Sequence, residues 1–222
     1  MRPKAGRACC RSCFTVSREL GSGGRTIGRL LAQKLNVRYS DKELIHGLQQ
    51  KFSLTTSGIE NLKGQKKNWF NDFIQLVAPA PDASMFVEAG SQYIKEFRAD
   101  LTTDDIHEAE VEIIKAIAEE GSCVIAGRSA FFVLRDHPNK VDVFITASME
   151  HRIARVMRKQ NLTREQAVEV IERVDKMRDN YIKRYTSKSR YDVRNYHLVI
   201  NVDDLTEEEA ADVILAYIKN TK

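Results

Sequence analysis

The stretch Phe14-Thr-Val-Ser-Arg-Glu-Leu-Gly-Ser-Gly-Gly-Arg-Thr-Ile-Gly28 decides how this chain is read. It opens with a short β-prone run, Phe14-Thr15-Val16, and passes into Ser17–Gly24, where glycine stands at 21, 23 and 24. Apolar residues then recur at Ile27, Leu30, Leu31 and Leu35, the spacing of one helix face. Strand, glycine loop and helix in that order form an anion cradle. Glycines let successive backbone N–H groups turn inward, and a helix start adds unpaired donors and a positive dipole end. Gly21, Ser22, Gly23 and Gly24 supply the turn, Arg25 a cation, and Thr26 a hydroxyl suited to Mg²⁺. Two positions depart from G-x-x-x-x-G-K-[ST]: Glu19 stands at the first glycine and Arg25 at the lysine. An arginine binds phosphate oxygens in pairs but is planar and bulkier than an ammonium. A flexible glycine turn is the competing reading, and the loop's place directly after a strand argues against it.

Working outward, Asn36–Tyr39 reads as a second short strand ending at Ser40-Asp41. From Lys42 to about Glu120 the pattern is mainly helical, with Ala78-Pro-Ala-Pro-Asp82 as a loop. Asp104 and Asp105 are expected to cap a helix through Ala118 that places Ile106, Ala109, Ile113, Ile114 and Ile117 on one side. Cys123–Ala126 and Val141–Thr146 read as buried strands, and Ser148 as the cap of a helix over Met149–Arg158. Helical spacing runs again from Arg164 to Arg184, followed by a strand at His197–Asn201 and a helix at Thr206–Ile218. Short apolar strands alternating with helices predict an α/β fold, a three-layer sandwich around a parallel central sheet. The expected division is a flexible leader at 1–12 and one domain over 13–222. Its core spans 13–44 and 101–222, with a helical insertion at about 45–100 and a helical lid at about 158–192.

Composition narrows the class. The 222 residues are 42% hydrophobic and 30% charged, enough apolar material for a core. The longest apolar runs are far shorter than the roughly 20 residues that span a bilayer, and no apolar run follows the basic start as in a secretory signal. The expectation is a cytoplasmic protein with no membrane partner. A net charge of +4 suits phosphate-bearing ligands without demanding a nucleic-acid polymer, because the basic residues between Arg152 and Arg194 alternate with acids. Cys9, Cys10 and Cys13 lack a second ligand pair at metal spacing, and Cys123 lies in an apolar run as a buried thiol.

Two further features point to phosphate chemistry. Arg128 follows the strand Cys123–Ala126 directly, at the edge where parallel sheets bind ligands. The basic helical segment carries Arg152, Arg155, Arg158, Arg164, Arg173, Arg178 and Lys183, some at i, i+3. A solvated charged face is the ordinary explanation of such a run. Arginines delivered to a transferring phosphoryl group are the other, and Asp175 is placed to orient Arg178 or to contact a base.

The combination of Ser17–Gly28, Asp41-Lys-Glu-Leu44 and Val124-Ile-Ala-Gly-Arg128 resembles the bacterial cytidylate kinase-like family, within the P-loop nucleoside monophosphate kinases. Val143–Ser148 with Arg152 and Arg155, and Asp175-x-x-Arg178, extend the resemblance, which covers Phe14 to Ile218. It implies transfer of the ATP γ-phosphoryl to CMP or dCMP with Mg²⁺. Carried over, Gly21–Thr26 hold the ATP phosphates, Arg25 plays the lysine's part and Thr26 contacts the metal. Asp41, Arg128, Asp175 and Arg178 bind the acceptor nucleotide, and Arg25, Arg128, Asp175 and Arg178 carry catalysis. The expected partner is a small nucleotide, with room for a homo-oligomer. Ala126 and Ser129 stand where the cytidylate kinases have aspartates, which removes a partner for Mg²⁺-bound water that Glu19 is placed to replace. The alternatives are a kinase of another small metabolite and a nucleotide-binding protein of weak catalytic power.

Overall fold

A computed structural model of the chain describes residues 11–41 and 103–221. Strand β1 (Cys13–Arg18) is buried along almost its whole length. It lies at the centre of a five-stranded sheet ordered β2-β3-β1-β4-β5. The others are β2 (Arg38–Ser40), β3 (Cys123–Ala126), β4 (Lys140–Thr146) and β5 (Leu198–Asn201). All four pairings are parallel. Parallel neighbours need long crossovers, and helices supply them among the described residues. These are α1 (Gly24–Leu35), α2 (Thr103–Glu120), α3 (Ala130–Val133), α4 (Met149–Gln160), α5 (Arg164–Thr186) and α6 (Glu207–Thr221).

Strand alternation sorts the core into two layers. Phe14, Val16, Val124, Val141, Val143 and Ile145 pack with Ile27 and Leu31 of α1 and Ile214 and Ile218 of α6. Cys13, Cys123 and Ile125 point the other way, onto Ile114, Ile117 and Ala118 of α2. The three-layer α/β sandwich is therefore present. A third cluster, Ile153, Val156, Ala167 and Ile171, zips α4 to α5.

Local chemistry sets the element ends. Ser148 Oγ accepts the His151 N–H at 3.3 Å and caps α4. Thr163 and Gln166 cap α5 reciprocally, side chain to backbone in both directions. Asn36, Asn161 and Ser187 close α1, α4 and α5 in left-handed conformation. Asp104 and Asp105, expected as caps, lie instead within the first turn of α2, where their charges still face a positive helix end. The one-turn α3 and the 3₁₀ turn Val193–Asn195 are too short to show a period in sequence. Of the expected leader, Ser12 is already tied to the sheet, its N–H donating to Ser122 Oγ and its carbonyl accepting from the Cys123 N–H. Residues 1–10 and the expected insertion at about 45–100 lie outside the described residues. Buried Cys13 and Cys123 face each other across β1 and β3 with sulfurs 3.8 Å apart.

Placing β1 between β3 and β4 brings the ends of all three strands to one edge. Ligands of open parallel sheets bind at that edge, and the site is built there.

Candidate functional site

Residues Glu19–Gly23 join β1 to α1. Gly23 precedes the helix at φ 77°, no side chain caps α1, and its first turn holds no acid. The N–H groups opening α1 are thus offered toward the loop without a competing carboxylate. Ser22 is buried and its hydroxyl donates to the Glu19 carbonyl at 2.9 Å, closing the loop on itself. Gly21 presses against the Arg152 backbone.

Arg18, the last residue of β1, is 8% exposed and runs through a gap bounded by two glycines. A Cβ on Gly24 would stand 2.5 Å from Arg18 Cβ, and one on Gly127 would stand 2.1 Å from Arg18 Nη1. The guanidinium emerges 4.0 Å from Asp41, at the end of β2. Arg25 meets the same carboxylate from the helix side, Nε to Oδ2 at 2.6 Å. The Tyr39 hydroxyl donates to the Arg25 carbonyl at 3.2 Å. Arg25 Nη2 is buried without a hydrogen-bond partner among the described residues. The structure therefore turns Arg25 toward Asp41 and the β2 edge. The cation over the loop belongs to another residue: Arg155 of α4 reaches back so that its Nη2 is 3.5 Å from Thr26 Oγ1, with Nη1 2.5 Å from Glu207.

Asp175 of α5 is the hub on the other side. It is 6% exposed and accepts the Leu20 N–H at 3.1 Å. Its carboxylate pairs with Arg152, with Arg178 at 3.6 Å and with Arg190 at 3.5 Å. Arg178 and Arg190 also donate to the Arg18 carbonyl, and Arg152 Nε to the Leu20 carbonyl at 2.7 Å. The loop's entrance is thus stitched to α4 and α5 from both sides. Burial depresses the Arg178 guanidinium well below its ordinary range, with Arg18 and Arg190 pushing in the same direction. Burial lowers Arg18 too, against the pull of Asp41. Two crowded, desolvated cations are the electrostatic mark of this edge.

Arg128 sits in a turn of consecutive left-handed residues, Gly127 (φ 79°), Arg128 (φ 57°) and Ser129 (φ 52°). That backbone directs the guanidinium onto buried Glu110 of α2. The Tyr181 hydroxyl donates to the same carboxylate, and burial beside it pushes the phenol well above its ordinary range. Glu110 accepts from Tyr181, so the proton between Tyr181 and His107 Nδ1, 2.8 Å apart, belongs to the imidazole.

The structure brings Gly21–Thr26, Arg25, Asp41, Asp175 and Arg178 to one edge, with Arg128 directly behind Gly127. Sequence reasoning named Arg152 and Arg155 only within the basic helical segment and the family resemblance, named Arg18 only within the loop stretch, and did not single out Arg190. Arg18 and Arg152 carried a signal, a charged residue inside or just after a strand–loop unit. Arg190 carried none. Glu19, expected near the metal, is occupied elsewhere: it accepts from Thr146 Oγ1 at 2.5 Å and lies 3.4 Å from Arg152 Nη1.

Known proteins match this chain at the level of family and fold. The profile of the cytidylate kinase-like family matches residues 13–204. The chain belongs to that family. A cytidylate kinase of Sulfurisphaera tokodaii is 22% identical over 207 residues, 92% of this chain and 94% of that one. An uncharacterized protein of Eubacterium ventriosum superposes with a TM-score of 0.65 at 24% identity, over 94% of this chain and 99% of its own. A shikimate kinase of Acinetobacter baumannii, in complex with shikimate, gives 0.51 at 17% identity, over 96% of both chains. The fold is that of the P-loop kinases, and the family member described here is a phosphotransferase of nucleoside-monophosphate-kinase type. No helix among the described residues is long and apolar enough to cross a membrane.

Proposed function

We propose that this kinase-like protein transfers the γ-phosphoryl group of ATP to a nucleoside monophosphate, with CMP and dCMP as the leading acceptors. The observation that carries this reading is a charge imbalance at the carboxyl edge of the sheet. Arg18, Arg25, Arg152, Arg178 and Arg190 contact three carboxylates, Glu19, Asp41 and Asp175. Among these described residues the surplus is two positive charges. A phosphate monoester carries close to two negative charges at neutral pH, and guanidinium pairs suit its oxygens. A neutral hydroxyl acceptor would bring no charge of its own to that surplus.

In this reading the acceptor's phosphate oxygen is already anionic, so no base is required. Positioning and charge neutralisation do the work. Asp41, Arg178 and the Asp175-held arginines hold the acceptor, and Arg128 fixes the turn behind it. Gly21–Thr26 hold the ATP phosphates. Mg²⁺, when bound, would be held through one protein oxygen, the Thr26 hydroxyl at the head of α1, and would supply charge neutralisation to the transferring phosphoryl group.

One observation favours a second reading, a nucleotide-binding protein of weak catalytic power. Arg25 is turned to Asp41, and Ala126 ends β3 where an acid would help hold the metal. ADP release from Mg²⁺-ATP across CMP, dCMP, UMP, AMP, GMP, shikimate, gluconate and no acceptor separates the readings. Stimulation by CMP or dCMP above the others is the expected result. Stimulation by shikimate or gluconate alone contradicts a monophosphate acceptor. ATP binding without turnover for every acceptor selects the second reading.

A further inference from the structure

We infer that Arg155, held in place by Glu207, is the cation of the triphosphate loop, the part that Arg25 was expected to play. The inference rests on the reading of Gly21–Thr26 as the ATP phosphate loop. Arg155 lies one helical turn beyond Arg152 on α4, and the two arginines divide the work. Arg152 is bound into the Asp175 hub. Arg155 leans over the loop, 13% exposed, so that a Cβ on Gly23 would stand 3.3 Å from its Cζ and 3.5 Å from each of its terminal nitrogens. The face of the guanidinium therefore covers Gly23, and one edge approaches the Thr26 hydroxyl. A dispersed, planar cation at that place has free directions toward anything bound at the mouth of α1.

Glu207 explains why it stays there. It is the first residue of α6, and α6 packs beside α1 in the same core layer. The Lys34–Asp212 pair at 2.6 Å fastens the two helices further along. The Glu207 carboxyl is held below its ordinary range: burial works against this, and the bonded Arg155 guanidinium, the backbone N–H of Glu207 and Lys159 together outweigh it. Glu207 is thus a charged anchor at neutral pH, partly exposed, and placed so that it restrains Arg155 through one nitrogen only. Arg25, by contrast, is committed through Nε to Asp41 on the side of β2. The loop lacks a lysine, and its cation comes from a neighbouring helix.

Inorganic tripolyphosphate, adenosine and ATP serve as separate binding probes in calorimetry on the full chain, because a guanidinium could meet either phosphates or a base. Arg155→Ala is expected to weaken tripolyphosphate about tenfold or more, the size of a lost charge-assisted contact, and to leave adenosine within about twofold. Arg155→Lys recovers part of the loss. Glu207→Gln keeps an oxygen for Arg155 and removes a charge near the anion, so tripolyphosphate tightens about twofold. Arg25→Ala changes tripolyphosphate by less than about threefold, consistent with a guanidinium already engaged elsewhere. Circular dichroism confirms that each variant is folded, and the lysine and glutamine variants carry the test should the alanine variant fail to fold. Tripolyphosphate binding by folded Arg155→Ala at wild-type strength overturns the inference and leaves the loop reading intact. Loss of adenosine together with tripolyphosphate overturns it in favour of a base platform. Wild-type protein that binds neither ATP nor tripolyphosphate overturns the loop reading itself.

Discussion

The loop after β1 and the turn after β3 leave adjacent, paired strands, and they are built on opposite principles. Between β1 and α1, the residues that turn left-handed are glycines, Gly21 and Gly23, which adopt that conformation at little steric cost. After β3, only Gly127 is a glycine, and Arg128 and Ser129 follow it into the same region. Each non-glycine residue held there costs on the order of 1 kcal/mol. What offsets the strain is local and specific. The Gly127 N–H donates to the Val16 carbonyl at 3.0 Å, Ser129 Oγ donates to the Arg128 carbonyl at 2.7 Å, and Arg128 is pinned to Glu110. The first segment is shaped to receive a ligand. The second is shaped to stay still and to wall in Arg18.

The comparison is sharpened first at Asp175, the hub that the loop after β1 leans on. Asp175→Asn keeps the shape and removes the carboxylate that Arg152, Arg178 and Arg190 share. It is expected to lower unfolding stability by about 3–5 kcal/mol, as removal of one member of a buried ion cluster does. A urea midpoint shift equivalent to less than about 1 kcal/mol would deny Asp175 that place.

The two segments then separate by glycine. Gly127→Ala forces a Cβ onto Arg18 Nη1 in a left-handed position, and about 2–3 kcal/mol of stability should be lost. Arg18→Ala in the same chain should recover part of it, a coupling that a double-mutant cycle reads directly. Gly23→Ala should cost only about 1 kcal/mol of stability while weakening ATP, because its Cβ displaces Arg155. Equal stability losses for the two substitutions would erase the distinction drawn above.

Ser129→Gly is a smaller test of the strain. Relief of the left-handed conformation should raise stability by about 0.5–1 kcal/mol. A loss instead would mean that the Ser129 hydroxyl outweighs the strain.

The smallest effect lies at alkaline pH. Burial first, then Asp41, pushes the Tyr39 phenol from 10.0 up to about 12. A folded-state value above the unfolded one means that the neutral form is favoured on folding. That contribution is fully present below pH 10 and is lost as the pH climbs toward about 12. Arg18 and Arg178 titrate in the opposite sense, since burial disfavours their cations. The readout is therefore the difference between wild type and Tyr39→Phe, which should lose stability less steeply over that window. Parallel curves would place the effect elsewhere, with Tyr196, also raised to about 12, next to be replaced.

The fold was legible because parallel strands and their helices announce themselves locally. Cys123–Ala126 is apolar on both faces and bounded by glycines, and it is β3 residue for residue. Helices α4, α5 and α6 followed from period and capping residues such as Ser148, within a few residues of their ends. The loop Gly21–Thr26 was legible for the same reason, since its chemistry is written in consecutive positions. What was not legible is where long side chains point. Arg25 occupies the lysine position of the loop, yet Asp41, 16 residues on and at the end of another strand, captures it. Arg155 and Glu207 stand 52 residues apart in sequence and meet only because α6 packs beside α1. Arg190 lies in an irregular segment with no motif and becomes a partner of Asp175 through tertiary packing.

The most direct test of a monophosphate acceptor is ADP formation from Mg²⁺-ATP with CMP compared with cytidine at equal concentration. The surplus of guanidinium charge at this edge predicts that CMP stimulates the reaction and cytidine leaves it at the level seen without an acceptor. Equal stimulation by cytidine would contradict the account, because the arginines gathered by Asp175 and Asp41 would then have no phosphate to hold.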